Sequence, residues 1–289
     1  MILGYGELGY LTVLNQCLTG VEQTDRTGVG TRSINNATIV YPAGSGFGAF
    51  STIRPAALRL AFEEFMFFLR GQTDTKILES KGVCFWKGNT SREFLDARKM
   101  FDTPEGDLGA AYSKQWRNFG GVDQLERLMN TLERDRYSRR MVVSLWNPAE
   151  ESNMPLVPCW WNMSIMVLPC EDGPDKLHMT LNSRSCDIMF GYSFAVQQYR
   201  LFQYMLAAFA GCDVGDLTVN LTHIHLYNNQ LEYADETLKR MMGKQGEVVL
   251  KRPIRSMEDL LSYEWEDIEV IGLEVNKTEY KAARPPMAV

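Results

Sequence analysis

The sequence predicts an α+β fold, a mixed β-sheet packed around a buried central helix in one domain covering residues 1–289, and three observations carry that prediction. Apolar residues follow a two-residue period in some segments and a helical period in others. The two kinds do not alternate strictly, which sets the chain apart from a doubly wound α/β sheet. The run from Phe194 to Ala210 is long and largely apolar, as expected of a helix that meets core on most sides. No internal repeat, low-complexity tract or Pro/Gly/Ser linker divides the 289 residues.

In chain order, Leu8 to Thr19 reads as an opening helix. A polar turn follows, Asp25-Arg26-Thr27-Gly28-Val29-Gly30-Thr31, whose two glycines permit positive φ and close approach to a ligand. Pro55 suits the first turn of a second helix, and Leu58, Ala61, Phe62, Phe65, Phe68 and Leu69 recur at helical spacing until Gly71. Residues 123–135 form an amphipathic helix that stops before Ser138-Arg139-Arg140. Strands are expected over Met141–Trp146, Met163–Leu168 and Leu177–Leu181, the last with apolar residues at every second position.

Composition bounds the function. Hydrophobic residues make up 45% and charged residues 23%, enough for a sizeable core. A net charge of -6 and a pI near 5.3 exclude a protein that coats nucleic acid, although a local basic cluster can still hold a phosphate ester. The six cysteines are scattered and form no C-x-x-C pair, so reduced thiols in a cytoplasm are expected rather than a disulfide framework. The three histidines are not in ligand spacing with cysteines, so no metal site is expected. No apolar run approaches the ~20 residues of a membrane span.

Several residues can carry chemistry. Cys159 lies in Pro158-Cys159-Trp160-Trp161, where a loop enters a strand; a cysteine there is ordinarily inert core unless cations favour its thiolate. Arg139-Arg140 and Arg184-Ser185 suit bidentate anion binding, or a solvated surface. Glu64 interrupts an apolar stretch and is either on a solvated face or buried with a function. His223, His225 and Tyr227 alternate as on one strand face, which fits hydroxyl recognition or two ligands of a metal. Asp187 reads as a strand-end carboxylate.

These pieces occur in an order that resembles the thymidylate synthase family from Asp25 to Val289. The segments that carry the resemblance are DRTGVGT, EEFMFFLRG, GVCFWKGNTSREFLD, EGDLGAAYSKQWRNFGG, DRYSRRMVVSLWNP, PLVPCW, SRSCDIMFG and HLYNN. The resemblance implies a sheet-packed homodimer that transfers a one-carbon unit from 5,10-methylenetetrahydrofolate to C5 of a pyrimidine nucleoside monophosphate, with no metal. It implies that Cys159 is the nucleophile, with its pKa lowered by neighbouring arginines. Glu64 would organise protons and water at the base, and Tyr112 would assist removal of the C5 proton. Arg26, Arg184 and Ser185 would hold the 5′-phosphate, joined by Arg139 and Arg140 of a second subunit. His225 and Tyr227 would bind the 3′-hydroxyl. Arg54, Trp86, Asp187, Phe190, Gly191 and Val289 would line the folate site, with Asp187 on the pterin and Met287-Ala288-Val289 as a C-terminal clamp. Ile53 stands where the family carries a lysine.

Three departures bear on the reaction. Trp160 replaces the histidine after the nucleophile, Phe190-Gly191-Tyr192-Ser193 replaces L-G-x-P, and Ala195 replaces the asparagine that pairs with uracil. An alanine offers the base neither donor nor acceptor, which leaves reading to water or to Gln197 or Gln198. Phe190-Gly191 and the non-histidine after cysteine resemble the phage dCMP hydroxymethylases. The expected reaction is therefore 5-hydroxymethylation, with dUMP ahead of dCMP. Thymidylate synthesis, dCMP methylation and an inactive nucleotide- or RNA-binding paralogue are the alternatives.

Overall fold

The computed structural model describes residues 2–44, 49–55 and 57–285. Its strands are β1 (Ile2–Tyr5), β2 (Val21–Gln23), β3 (Thr31–Ile34), β4 (Ala37–Tyr41), β5 (Val142–Ser144), β6 (Trp160–Leu168), β7 (Lys176–Ser183), β8 (Cys186–Asp187), β9 (Asp213–Leu221), β10 (Ile224–Tyr227), β11 (Glu247–Leu250) and β12 (Ile268–Ile271). Its α-helices are α1 (Gly6–Leu18), α2 (Leu58–Leu69), α3 (Lys76–Ser80), α4 (Arg92–Ala97), α5 (Tyr112–Arg117), α6 (Gln124–Arg134), α7 (Gly191–Ala210), α8 (Leu231–Leu238) and α9 (Met257–Leu261). The class is α+β, as the sequence predicts.

A six-stranded sheet runs β1-β4-β9-β7-β6-β5, with β1–β4 and β7–β9 parallel and the other pairs antiparallel. Along β4, β7 and β9 buried residues alternate with half-exposed ones, so one face is core and the other is open. The core face carries α7, whose apolar residues bury nearly its whole circumference against β7, β9 and α2. On the open face Thr38 Oγ1 donates to Asn220 Oδ1 (2.9 Å), Asn220 Nδ2 to Asn182 Oδ1 (3.1 Å), and Asn182 Nδ2 to Asn162 Oδ1 (2.9 Å). Asn162 Nδ2 then donates to the Val143 carbonyl at 3.3 Å, so one row of side chains crosses five strands.

Two strands of this sheet bend together. The parallel pair β7–β9 leaves the first sheet at Arg184-Ser185 and at Thr222-His223 and resumes as the parallel pair β8–β10 of a four-stranded sheet, β2-β3-β10-β8. The bend is tied by the Ser183 carbonyl, which accepts from Thr222 N (3.0 Å) and Thr222 Oγ1 (2.8 Å). This places Arg184, Ser185, Asp187, His225 and Tyr227 along one short arc.

Two expectations need correction, and a third is untested. Pro55 is not in the first turn of α2, which begins at Leu58 after Ala57 with φ 38°. The preceding stretch is held elsewhere: Glu7 accepts from Thr52 N (2.8 Å) and Ile53 N (3.1 Å), so the chain turns into the helix late. His223 is not on the strand with His225 and Tyr227, because it sits in the bend with φ 38°, and β10 starts at Ile224. Met287-Ala288-Val289, read as a clamp, lies outside the described residues.

Candidate active site

Helix α2 is apolar nearly all round, and every residue from Ala61 to Leu69 is buried. Glu64 in that run is only 7% exposed, so its carboxyl is largely removed from water and needs donors inside the protein. It has two: Trp86 Nε1 donates to Oε1 at 2.6 Å and Gln198 Nε2 to Oε2 at 2.5 Å. Burial pushes the Glu64 carboxyl up to about 7, with the bonds from Gln198 and Trp86 pulling it back. Such a group holds and releases a proton near neutrality.

Trp86 meets Tyr112 edge to face, with centroids 6.0 Å apart, and Phe68 stacks on the tyrosine at 4.9 Å while also touching Trp86 at 6.1 Å, so the three rings form one cluster. Tyr112 opens α5 because Gly109, at φ 55°, lets the chain pass against the Asn153 carbonyl, where a Cβ would stand 2.3 Å from that oxygen. The Tyr112 hydroxyl accepts from the Cys159 amide at 2.8 Å. A continuous path therefore leads from Gln198 through Glu64, Trp86 and Tyr112 to Cys159.

Cys159 is half-buried at the entrance to β6. Burial pushes its thiol up; Arg184 and Arg26 act to lower it and Asp187 to raise it. The expected net lowering by arginines is therefore not met within one chain, where desolvation outweighs them. Arg184 is fixed by donation to the Pro158 (2.9 Å) and Val157 (2.8 Å) carbonyls, and it lies 5.2 Å from the Trp146 ring. Its amide donates to the Cys159 carbonyl at 3.0 Å, so the arginine and the cysteine loop form one unit.

Arg26 is exposed on the 25–30 turn, 5.8 Å from the Phe94 ring. Asp25 builds that turn, accepting from Thr27 N (3.1 Å) and Gly30 N (2.9 Å). Across the arc, Asp187 pairs in register with His225, and its Oδ1 accepts from Met189 N (3.0 Å) and Phe190 N (3.3 Å), turning the chain into α7. Burial lowers the His225 pKa and leaves a neutral imidazole, edge-on to Tyr227 with centroids 5.1 Å apart. Burial and the charges of Asp187 and Asp25 raise Tyr227 to about 12, with Arg26 opposing. Ser185 is half-buried at the bend itself. Arg139 and Arg140 are exposed beyond α6, and the cations that act on Cys159 do not include them.

The departures cluster on α7. Trp160 is 9% exposed and its indole packs on Tyr192 (6.4 Å) and Tyr199 (6.1 Å). Ala195, 5% exposed, lies three residues after one tyrosine and four before the other, on the helix face that the indole covers. A β-bulge between Trp160 and Asn162 turns Trp160 inward and Trp161 outward. The guanidinium groups of Arg54 (5.1 Å) and Arg284 (5.5 Å) both pack over the Phe190 ring, just ahead of Gly191. Among the described residues no group of three or more His, Cys, Asp or Glu could hold a metal ion.

The family model for thymidylate synthase matches residues 9–284 of this chain. The chain belongs to the thymidylate synthase family. Thymidylate synthase of Homo sapiens is 33% identical over 95% of this chain and 89% of its own length. That of Candida albicans is 31% identical over 93% and 94%. The bifunctional dihydrofolate reductase-thymidylate synthase of Paramecium tetraurelia is 34% identical over 95% of this chain, which spans 60% of that relative's length. Against the bifunctional enzyme of Leishmania major the chain spans 52% of the relative.

The thymidylate synthase fold thus brings Glu64, Trp86, Tyr112, Cys159, Arg184, Asp187, His225, Tyr227 and Arg26 to one region and leaves Arg139 and Arg140 outside it. Sequence reading did not assign the two ring contacts that orient the site, Phe68 under Tyr112 and Trp146 beside Arg184. Nor did it assign Arg284, the second cation on Phe190. The first two look like core in the sequence, and no signal separates them from it.

Proposed function

We propose that this thymidylate synthase family chain transfers a one-carbon unit from 5,10-methylenetetrahydrofolate to C5 of a pyrimidine deoxynucleoside monophosphate, converting dUMP to dTMP. The observation that carries the reading is the path from Gln198 and Glu64 through Trp86 and Tyr112 to the Cys159 amide, hydrogen-bonded at each end and joined in the middle by the Trp86–Tyr112 ring contact. The Cys159 thiolate adds to C6 and turns C5 into a nucleophile. Glu64, with a carboxyl near neutrality, supplies and retrieves protons at the 4-position of the base. Tyr112 positions the water that takes the C5 proton, and Cys159 leaves C6 in the final elimination. Arg26, Arg184 and Ser185 hold the 5′-phosphate, and His225 with Tyr227 holds the 3′-hydroxyl.

The residues expected to hold the folate fit it. The Phe190 ring packs against two guanidinium groups, Asp187 accepts from the Phe190 amide, and Arg54 Nε is buried with no acceptor among the described residues, as suits an anionic glutamate tail. Bound there, 5,10-methylenetetrahydrofolate supplies the one-carbon unit and, for a methyl product, the hydride. Gly191 lets α7 start close to Asp187, and Val289 completes the assignment from the C-terminus.

A homodimer is part of the proposal. Arg139 and Arg140 are exposed and serve the partner's phosphate site, and the open face of the six-stranded sheet carries Trp161, Met166 and Leu168 exposed beside its asparagine row.

One observation favours a second reading, 5-hydroxymethylation of dUMP or dCMP. Trp160 and Ala195 remove both polar partners from the base edge and reshape the wall of the site, so that water in place of hydride completes the reaction. Incubation with dUMP or dCMP and methylenetetrahydrofolate separates the readings. A methylated product with rising dihydrofolate absorbance supports thymidylate synthesis. A product heavier by an oxygen, with no dihydrofolate, overturns it in favour of hydroxymethylation.

A further inference from the structure

Helix α7 carries two adjacent glutamines beyond Ala195, and the fold sends them to opposite places. Gln197 accepts from the Ser51 amide at 3.3 Å, toward the 49–55 segment. Gln198, 4% exposed, reaches α2 and donates its Nε2 to Glu64 at 2.5 Å. An ionised carboxylate only accepts, so the amide group of Gln198 is oriented by its neighbour: the NH2 faces Glu64 and the oxygen is turned away. That oxygen accepts no hydrogen bond from any described residue. It is not one of the fully buried unpartnered atoms, so this acceptor is open to a ligand or water at the edge of the buried site.

The position is apt. Ala195 and Gln198 are three residues apart and so share one helix face. The alanine has no polar atom, and the Trp160 indole, resting on Tyr192 and Tyr199, closes the neighbouring side. Within this wall the Gln198 oxygen is the acceptor that the helix presents beside Glu64.

Resting on the function proposed above, we infer that Gln198 reads the pyrimidine: its amide oxygen accepts an N–H from the base, either N3–H of uracil or the 4-amino group of cytosine. The Glu64 carboxylate holds the amide in that orientation, so the same residue pair serves chemistry and recognition. The two donors sit at different ring positions, and each faces an acceptor of the other base (N3 of cytosine, O4 of uracil), so an oxygen held at one position accepts one base and repels the other, which an alanine alone does not do.

The test compares wild type with Gln198→Met, which keeps length and apolar volume, and Gln198→Ser, which is polar but too short to reach either Glu64 or a base. Binding of dUMP and of dCMP is measured by titration calorimetry, and turnover by tritium release from the 5-tritiated nucleotides. The expected result is a wild-type preference for one nucleotide that falls about tenfold or more in both variants, through weaker binding of the preferred one. Equal losses on both nucleotides, with the preference unchanged, overturn the inference and reduce Gln198 to a support for Glu64. A wild type that binds one base selectively, loses that selectivity in both variants and releases no tritium overturns the proposed reaction while upholding the reading of the base.

Discussion

The base end and the phosphate end of the candidate site are built in opposite ways. Around Glu64 every partner is buried and local to one chain: two donors on the carboxylate, Phe68 and Trp86 around Tyr112, and a hydroxyl that takes the Cys159 amide. At the phosphate end Arg26 is exposed on a glycine turn, Arg139 and Arg140 are exposed beyond α6, and Arg184 alone is pinned. The buried end is therefore preorganised within the fold, whereas the cations of the other end are largely exposed and, in the proposed dimer, converge on the phosphate from two chains.

The sharpest way to break this contrast is Cys159→Ser. Turnover should fall by on the order of 10⁴-fold or more, as expected for loss of a nucleophile, while nucleotide binding by calorimetry persists. Substantial remaining tritium release would show that no covalent adduct is needed, and loss of nucleotide binding would place Cys159 in recognition instead.

Glu64→Gln tests the buried end twice. The rate should drop by roughly 10²- to 10⁴-fold, as for a general acid–base group. Stability should move the other way. A carboxyl raised from 4.5 to about 7 on folding keeps its proton in the folded state when the unfolded chain has lost it. Stability is thus lost as pH climbs from about 4.5 to about 7 and is flat beyond, a cost on the order of a few kcal/mol. Glutamine escapes that cost, so its melting temperature relative to wild type should rise between pH 5 and pH 8. An unchanged difference across that range would mean that Glu64 is not raised.

The phosphate end is probed by Arg139→Ala. Alone it should raise the nucleotide KM by roughly tenfold, the loss of a charge-assisted hydrogen bond. Mixed with Cys159→Ser under conditions that exchange subunits, it should regain about a quarter of the wild-type sites, because one hybrid site then has both its cysteine and its arginine. No recovery on mixing would show that each chain uses its own arginines.

The smallest effect is expected from Tyr112→Phe. The ring keeps its stack on Phe68, but the Cys159 amide loses its acceptor, at about 1–3 kcal/mol in urea denaturation, with a milder loss of rate than at Glu64. A variant as stable as wild type would mean that the amide finds another partner.

What was legible in the sequence follows from distance along the chain. The helical period of 58–69 and the two-residue period of 177–181 are local, and α2 and β7 stand where those periods put them. The burial of Glu64 was legible as one of two outcomes, because eight apolar or long neighbours surround it, but its donors lie 22 and 134 residues away and leave no local mark. Pro55 misled because a proline ahead of a helical run signals a first turn, and only the hold of Glu7 on Thr52 and Ile53 delays α2 to Leu58. His223 misled because a paired bend of two strands, 39 residues apart at Thr222 and Ser183, interrupts a continuous two-residue pattern. The arginine effect on Cys159 was a sum whose larger part, desolvation, has no sequence signal.

The asparagine row on the open face of the sheet bears on the reaction mechanically. Cys159 immediately precedes β6, and three residues later Asn162 is cross-tied through Asn182 and Asn220 to Thr38. A strand secured on its neighbours by side chains as well as by backbone has little freedom to slide along its own axis. In the proposed reaction, bond formation at sulfur draws Cys159 toward the base, and a compliant strand would follow, spending the approach on backbone recoil. The row makes the sheet a stiff backing, so the displacement falls on the substrate ring and the cysteine side chain.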